Sequence, residues 1–278
     1  MLSFRKIILY TLMLISVLFS ILPLIWMIVS SIKPESQIPI YPPRWIPSVI
    51  TWENFLSVIS KHNFGRWMLN SIIVAGIATF ITIFIDAMAG YALACLYFVG
   101  RNFLFNLIVF MLLVPIPVTV IPLFLLFSQL HLLDTHIALI LPTTANITGV
   151  FIMRQFFLGI PGELEDAARI DGCSPFKIWS QIVLPLSGPS LSAVATLTFV
   201  SSWNNFLWPL IAINSDNSRT LPVGIAQYMG AMSGASGSAP NYGPPLASAV
   251  MATIPALIVF FALQKYFVQG ISFTGIKG

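Results

Sequence analysis

Six stretches of this chain, near residues 7–31, 69–97, 104–127, 136–157, 187–213 and 246–268, are long and apolar enough to cross a bilayer. The hydrocarbon core is about 30 Å thick, and a helix crosses it with about 20 residues. Backbone immersed in lipid must satisfy its own hydrogen bonds, and a helix does so within one segment. These stretches predict an all-α polytopic membrane protein with six transmembrane helices. Composition agrees, because only 8% of the residues are charged and mean hydropathy is +0.91, whereas a soluble domain carries roughly 25% charge. Residues 1–278 read as a single transmembrane domain, with connecting outer loops at 33–68 and 214–245.

The start of the chain resembles a signal peptide, with Arg5-Lys6 ahead of an apolar run over residues 7–32. That run is long and offers no small-residue cleavage site, so it reads as a retained span. With the N-terminus inside, Arg5, Lys6, Arg101, Arg154, Arg169, Lys177, Lys265 and Lys277 fall on the cytoplasmic side, as does the C-terminus. Lys33, Arg44, Lys61, Arg66 and Arg219 fall on the other, a modest positive-inside bias. The 13 basic residues stand singly at span ends and form no stripe, which argues against nucleic acid as a partner. Cys95 and Cys173 lack metal-ligand spacing and fall near the reducing side, where a structural disulfide is not expected.

Residues 160–185, IPGELEDAARIDGCSPFKIWSQIVLP, are the largest polar interruption. Glu163, Glu165, Asp166, Arg169, Asp171 and Lys177 are six of the 22 charged side chains (13 basic, 9 acidic). The local grammar is two short helices joined by a turn. Pro161 suits a first helical position, and the acids that follow suit the positive end of the helix dipole. Gly172 supplies a left-handed stop, Ser174-Pro175 a second helix start, and Pro185 its end.

The spacing goes further. Asp166-Ala167-Ala168, three residues, Gly172, nine residues, Ile182, one residue, then Leu184-Pro185 resembles the EAA–G–I-LP signature of ABC import permeases. RQFF at 154–157, IPGELEDAARIDG at 160–172, WNNFLWPL at 203–210 and TLPVG at 220–224 resemble the carbohydrate-uptake branch of the type I importers, in the same order. The resemblance covers nearly the whole chain and is weakest over residues 1–65.

It implies a multi-pass permease subunit in the plasma (inner) membrane of a prokaryote. Its expected partners are a second, homologous permease subunit, a dimer of ATP-binding subunits that carry ATP and Mg, an extracytoplasmic solute-binding protein, and lipid. Glu165, Asp166, Ala167, Ala168, Asp171 and Gly172 are then the ATPase-coupling residues. The tail FVQGISFTGIKG resembles one that docks between ATPase subunits, which makes Lys277 a contact candidate. The signature normally opens with Glu, and here Asp166 is one methylene shorter, so Asp166 and Glu165 both remain candidates for the key contact.

Other residues bear on the solute path. Asp86 lies within the second span and must face protein or water. Pro115, Pro117 and Pro122 predict kinks in the third. Trp203, Asn204 and Asn205 place an indole and amides in the fifth, suiting the hydroxyls and C–H face of a sugar and equally suiting glue between helices. QLHLLDTH at 129–136 reads as an outer hairpin rather than a metal site. Between Pro34 and Pro47 five prolines forbid helix. Thr51 then starts a short helix with Phe55, Leu56 and Ile59 on one face, at the outer membrane surface or against a binding protein. Of the 16 residues from Tyr228 to Gly243, 11 are Gly, Ala, Ser or Pro and none is charged. In the family a loop at this location enters the binding protein's cleft. That makes Tyr228, Ser233, Ser236, Ser238, Asn241 and Tyr242 contact candidates.

No GxxxxGK[ST] occurs, so ATP is not expected to bind this chain, and no catalytic cluster or cofactor motif suggests an enzyme. A secondary transporter would show two repeated halves, which are not visible. The expected solute is a sugar or sugar-like molecule; a polyol, glycerophosphodiester or osmolyte is the alternative.

Overall fold

The computed structural model describes residues 4–61, 63–234 and 241–273, and every regular element among them is helical. The chain divides into two compact units, one of residues up to Arg66 with Gly224–Ile254, the other of Trp67–Val223 with the residues from Pro255.

In the first unit, α1 (Phe4–Ser31) is apolar on all sides, and none of its crossing window is buried by its own chain. Such a surface must be covered by lipid or by another protein. The proline-rich stretch after it forms only a 3-10 turn, Glu35–Gln37. In α2 (Glu53–Lys61), the Thr51 hydroxyl accepts from the Glu53 N–H at 3.2 Å. Asn54 and Val58 face inward and are buried, while Leu56 and Ile59, of the face expected at the outer membrane surface or against a binding protein, are exposed. Asn54 turns inward because its amide donates to the Ser31 and Lys33 carbonyls at the end of α1, at 2.8 Å each.

The axis of the second unit is α3 (Phe64–Cys95), which enters it at Trp67. Its length is roughly 48 Å at 1.5 Å per residue. The third crossing is bent by 105° between α4 (Arg101–Phe110), which runs on as a 3-10 turn to Leu113, and α5 (Ile116–Gln129). Pro115 and Pro117 remove two backbone donors at the bend. The fourth is bent by 40° between α6 (His136–Thr143) and α7 (Ile147–Phe157).

The polar stretch forms α8 (Gly162–Ile170), α9 (Pro175–Ile178), a π turn over Trp179–Val183 and α10 (Leu184–Leu186). Pro185 does not end this helix: the widened π turn carries the chain past its missing N–H. The expected fifth span is also broken, into α11 (Gly188–Trp203) and α12 (Leu207–Ala212). The expected outer loop contains α13 (Leu221–Gly234), with Leu221 and Val223 fully buried, and α14 (Gly243–Phe273) is the last long apolar helix. By length and composition three helices, α1, α3 and α14, can cross a membrane alone, and up to six crossings result if each bent pair is one span: α4 with α5, α6 with α7, and the Pro175–Leu186 stretch with α11, bent by 81°.

The second unit has two apolar cores. One gathers Ala87 and Tyr91 of α3, Met153 and Phe157 of α7, Ala168 of α8, and Trp179 and Val183 of the π turn. The other gathers Val74 and Ala78 of α3, Phe127 of α5, Ala138–Ile140 of α6, and Trp208 and Ala212 of α12. Between the two in sequence lie polar residues: Thr82 and Asp86, then Thr143, Thr144 and Asn146, then Thr198, Ser201, Ser202, Asn204 and Asn205. The breaks in the fourth and fifth crossings therefore lie at the seam between the cores.

Beyond the second core, Asp134 clasps the chain after α12. One carboxylate oxygen accepts from the Asn214 N–H, the Ser215 N–H and the Ser215 hydroxyl at 2.9–3.1 Å. Burial alone would raise its pKa, but the Ser215 and Asn214 hydrogen bonds and nearby Arg219 hold it below the ordinary value. Among the described residues no group of His, Cys, Asp and Glu could hold a metal ion.

Candidate functional site

The 160–185 element folds as its local chemistry dictates. The Asp171 N–H returns to the Ala167 carbonyl at 3.1 Å and the Cys173 N–H to Ala168 at 2.9 Å, closing α8. Gly172 makes the turn with φ +77°, the left-handed region that side chains disfavour. The Ser174 hydroxyl then accepts from the Lys177 N–H at 3.4 Å, and Pro175 starts the next helix.

Burial separates two faces of α8. Glu165 and Ala168, one turn apart, are buried. Glu163, Asp166, Ala167, Asp171 and Gly172 are exposed. Glu165 pairs with Arg169 at 3.3 Å and lies close to Tyr91 and Cys95 of α3. Its carboxylate serves the inside of the chain, whereas Asp166 is turned out. Leu164, Ile170 and Phe176 of the same element are exposed apolar side chains, Ile170 to 86%.

Behind that face the packing is continuous. Ala168, Ile178, Trp179 and Val183 bury against Tyr91, Met153 and Phe157. A Cβ on Gly90 would lie 2.7 Å from the Met153 Cβ, so α3 and α7 cross in close contact. Two arginines close the end of α3: Arg154 donates to the Leu93 carbonyl at 3.2 Å, and Arg101 to Leu96 at 3.2 Å. Arg154 also sits 3.8 Å from the centre of the Phe105 ring. Cys95 and Cys173 are free thiols.

Asp86 is fully buried, and neither carboxylate oxygen has a hydrogen-bond partner among the described residues. It is packed against the first turn of α7, where a Cβ on Gly149 would overlap its Oδ2. This is the helix end whose dipole attracts negative charge. Asn146 caps the same turn through the Gly149 N–H at 3.3 Å and donates to the Thr198 hydroxyl of α11 at 3.1 Å. Trp203 is also buried, its ring stacked on Phe199 at 5.8 Å. Asn204 is exposed at the break after α11, with its amide donating to the Val200 carbonyl at 2.9 Å, and Asn205 is half-buried. The four residues expected along a solute path thus divide into two buried ones and two at the break.

Of the expected binding-protein contacts, Tyr228 and Ser233 fall within α13, Asn241 is half-buried, and Tyr242 is exposed just before α14. Ser236, Ser238 and Lys277 lie outside the described residues.

Comparison with known proteins decides the family. Residues 86–273 match the binding-protein-dependent transport system inner membrane component. The chain belongs to this family. The permease is 38% identical to the arabinooligosaccharides transport system permease protein AraQ of Halalkalibacterium halodurans, covering 93% of this chain and 92% of that one. It is 33% identical to the lactose transport system permease protein LacG of Rhizobium radiobacter, over 94% and 93% of the two chains. To the sn-glycerol-3-phosphate transport system permease protein UgpE of Yersinia pestis it is 32% identical, over 94% of each. Its fold is similar to a chain in the crystal structure of a bacterial ABC transporter involved in the import of the acidic polysaccharide alginate. There the TM-score is 0.83 at 23% identity, over 95% of this permease and 96% of that chain.

Sequence reasoning missed several residues that position the permease's parts. Gly149, Arg101 and Arg154 were each visible as types, but their roles are contacts with helices 60 or so positions away or with the preceding span. The Asn146 cap was the legible one, since Asn three residues before Gly149 is a helix-start pattern.

Proposed function

We propose that this permease forms one half of the membrane pathway of a carbohydrate importer, with the 160–185 element and both termini facing the cytoplasm. The relatives named for arabinooligosaccharides and lactose support the solute class. One observation carries the coupling role: α8 buries Glu165 and Ala168 in its own core while presenting Asp166, Leu164 and Ile170 outward. A short helix fixed on one side and bare on the other suits transmission of a partner's movement.

In this reading ATP and Mg sit on the partner ATPase dimer, which docks the outer face of α8 and α9. Closure of that dimer shifts the element, and the core behind it carries α7 and the first part of α11 along. The breaks at Thr144–Asn146 and Asn204–Phe206 absorb the movement, because neither holds a continuous helical hydrogen-bond ladder there. Access then alternates between two states of the pathway. Asn204, exposed at its break, offers amide donors and acceptors to sugar hydroxyls, with Asn205 beside it and the Trp203–Phe199 stack beneath. Asp86 acts from within, as a fixed packing point between α3 and α7. The segment from Tyr228 to Tyr242 meets the solute-binding protein on the opposite face of the membrane.

A second reading, a small solute such as a polyol or glycerophosphodiester, stands beside it, and the similarity to a permease named for sn-glycerol-3-phosphate favours a solute other than an oligosaccharide. Purifying the four-part complex with its binding protein and identifying the bound solute by mass spectrometry separates the two. An oligosaccharide is expected, and a phosphodiester or polyol would replace the carbohydrate reading.

The coupling assignment has its own test. Asp166→Glu is expected to keep or improve uptake, while Asp166→Ala lowers uptake and binding-protein-stimulated ATP hydrolysis by roughly tenfold or more. That range follows from about 1.5–3 kcal/mol for a charge-assisted contact. Glu165→Ala instead is expected to lower the yield of folded complex, since its partners lie within the chain. If both Asp166 variants transport normally and a well-folded Glu165→Ala complex does not, the two carboxylates have the opposite roles.

A further inference from the structure

We infer that Glu35 is the positioning residue for the binding-protein contact at Tyr242, tying that residue to the end of α1. The inference rests on the reading that Tyr242 meets a binding protein. Two carboxylate oxygens of Glu35 accept the N–H groups of Tyr242 and Gly243, at 2.8 Å each. These N–H groups open α14, where a helix has donors without acceptors of its own. A local cap was available and is not used: Asn241 is a capping type, yet its side-chain oxygen is buried without a hydrogen-bond partner among the described residues. The cap comes from a residue 207 positions away in sequence.

Glu35 is itself held in place. Two residues before it, Lys33 is fully buried, with its ammonium 4.4 Å from the Trp26 ring centre and donating to the Arg44 carbonyl. Burial lowers the Lys33 pKa. Asn54 completes the seat, bonded to Ser31 and Lys33 and packed so closely on Gly243 that a Cβ there would overlap its amide. The seat lies wholly within one compact unit. Tyr242 leaves it with its side chain exposed, so the placement of that side chain depends on the Glu35 bonds.

The test uses the whole complex, with partner permease, ATPase subunits and binding protein, in lipid nanodiscs. Basal ATP hydrolysis and its stimulation are measured while binding protein is titrated, for Glu35→Gln, Glu35→Ala and Glu35→Asp. Glutamine keeps the shape but offers one acceptor oxygen and turns an amide N–H toward the second donor. The half-maximal binding-protein concentration is expected to rise about tenfold in Glu35→Gln and further in Glu35→Ala. Glu35→Asp is expected to recover part of the loss, and basal hydrolysis to stay at its original rate. A merely structural role would lower yield or basal activity and leave the half-maximal concentration unmoved. An unmoved value in both Glu35→Gln and Glu35→Ala overturns the inference. A separate arm replaces Tyr242 with the photo-crosslinker p-benzoylphenylalanine in the Glu35 background. A cross-link to the binding protein is expected, and its absence overturns the contact reading whatever Glu35 does.

Discussion

Gly172→Pro is expected to leave the permease inserted and assembled but to abolish both uptake and binding-protein-stimulated ATP hydrolysis. Gly172 holds φ +77° and its N–H donates to the Arg169 carbonyl at 3.0 Å. Proline fixes φ near −65° and has no N–H, so both features are lost at once. The space around the position is not the cause, because a Cβ there would meet nothing within 4 Å. Gly172→Ala therefore costs only the left-handed backbone, about 1–2 kcal/mol, and is expected to retain partial transport. With proline the turn between α8 and α9 must open, and Asp166 and Phe176 no longer present one face. Uptake and ATPase assays on purified complex check this. Normal uptake by a fully assembled Gly172→Pro complex would remove the coupling role from this element.

Gly149→Ala tests the opposite case, a glycine required for space. It lies in a regular helix, so alanine suits its backbone, but the new Cβ would overlap the Asp86 carboxylate. Overpacking of this kind costs about 1–3 kcal/mol. Uptake is expected to fall at least tenfold and the melting temperature of the complex to drop. Removing the obstruction should reverse this: Gly149→Ala/Asp86→Ala is expected to be more stable and more active than Gly149→Ala alone. Asp86→Ala by itself should fold about as well as the parent, because the desolvation cost of a carboxylate with no hydrogen-bond partner among the described residues offsets what its packing and the helix dipole contribute. The four proteins form a double-mutant cycle. A double variant no better than Gly149→Ala would show that the overlap is relieved by movement elsewhere and that Asp86 does not set the α3–α7 distance.

These two glycines show what could be read from the chain alone. Gly172 was legible, because a helix stop followed by Ser-Pro is a local pattern and its physical cause, a positive φ, is local too. The membrane-crossing segments were legible for a similar reason: apolar length is a property of a segment by itself. Gly149 was not legible, since its neighbour is Asp86, 63 positions earlier, and only the packing of α3 on α7 brings them together. Glu165 and Asp166 were indistinguishable in sequence because both are acids at adjacent positions on one helix. Successive residues differ by 100° around a helix, so tertiary packing on Tyr91 and Phe157 decided which one turns inward.

The breaks in the fourth and fifth crossings divide the same way. Prolines announced the bend in the third, where a missing N–H is a covalent fact. The break after Trp203 carries no proline at the break itself, and the sequence there reads as a continuous span. What the sequence determined by itself is the set of apolar lengths, the turn chemistry of 160–185 and the family signature, all of which depend on residues near one another. What only the tertiary structure decided is which face each helix buries, where the two cores meet, and that Glu35 caps a helix 207 positions away. Those depend on which distant side chain supplies the missing hydrogen-bond partner or the needed space, and no local pattern carries that information.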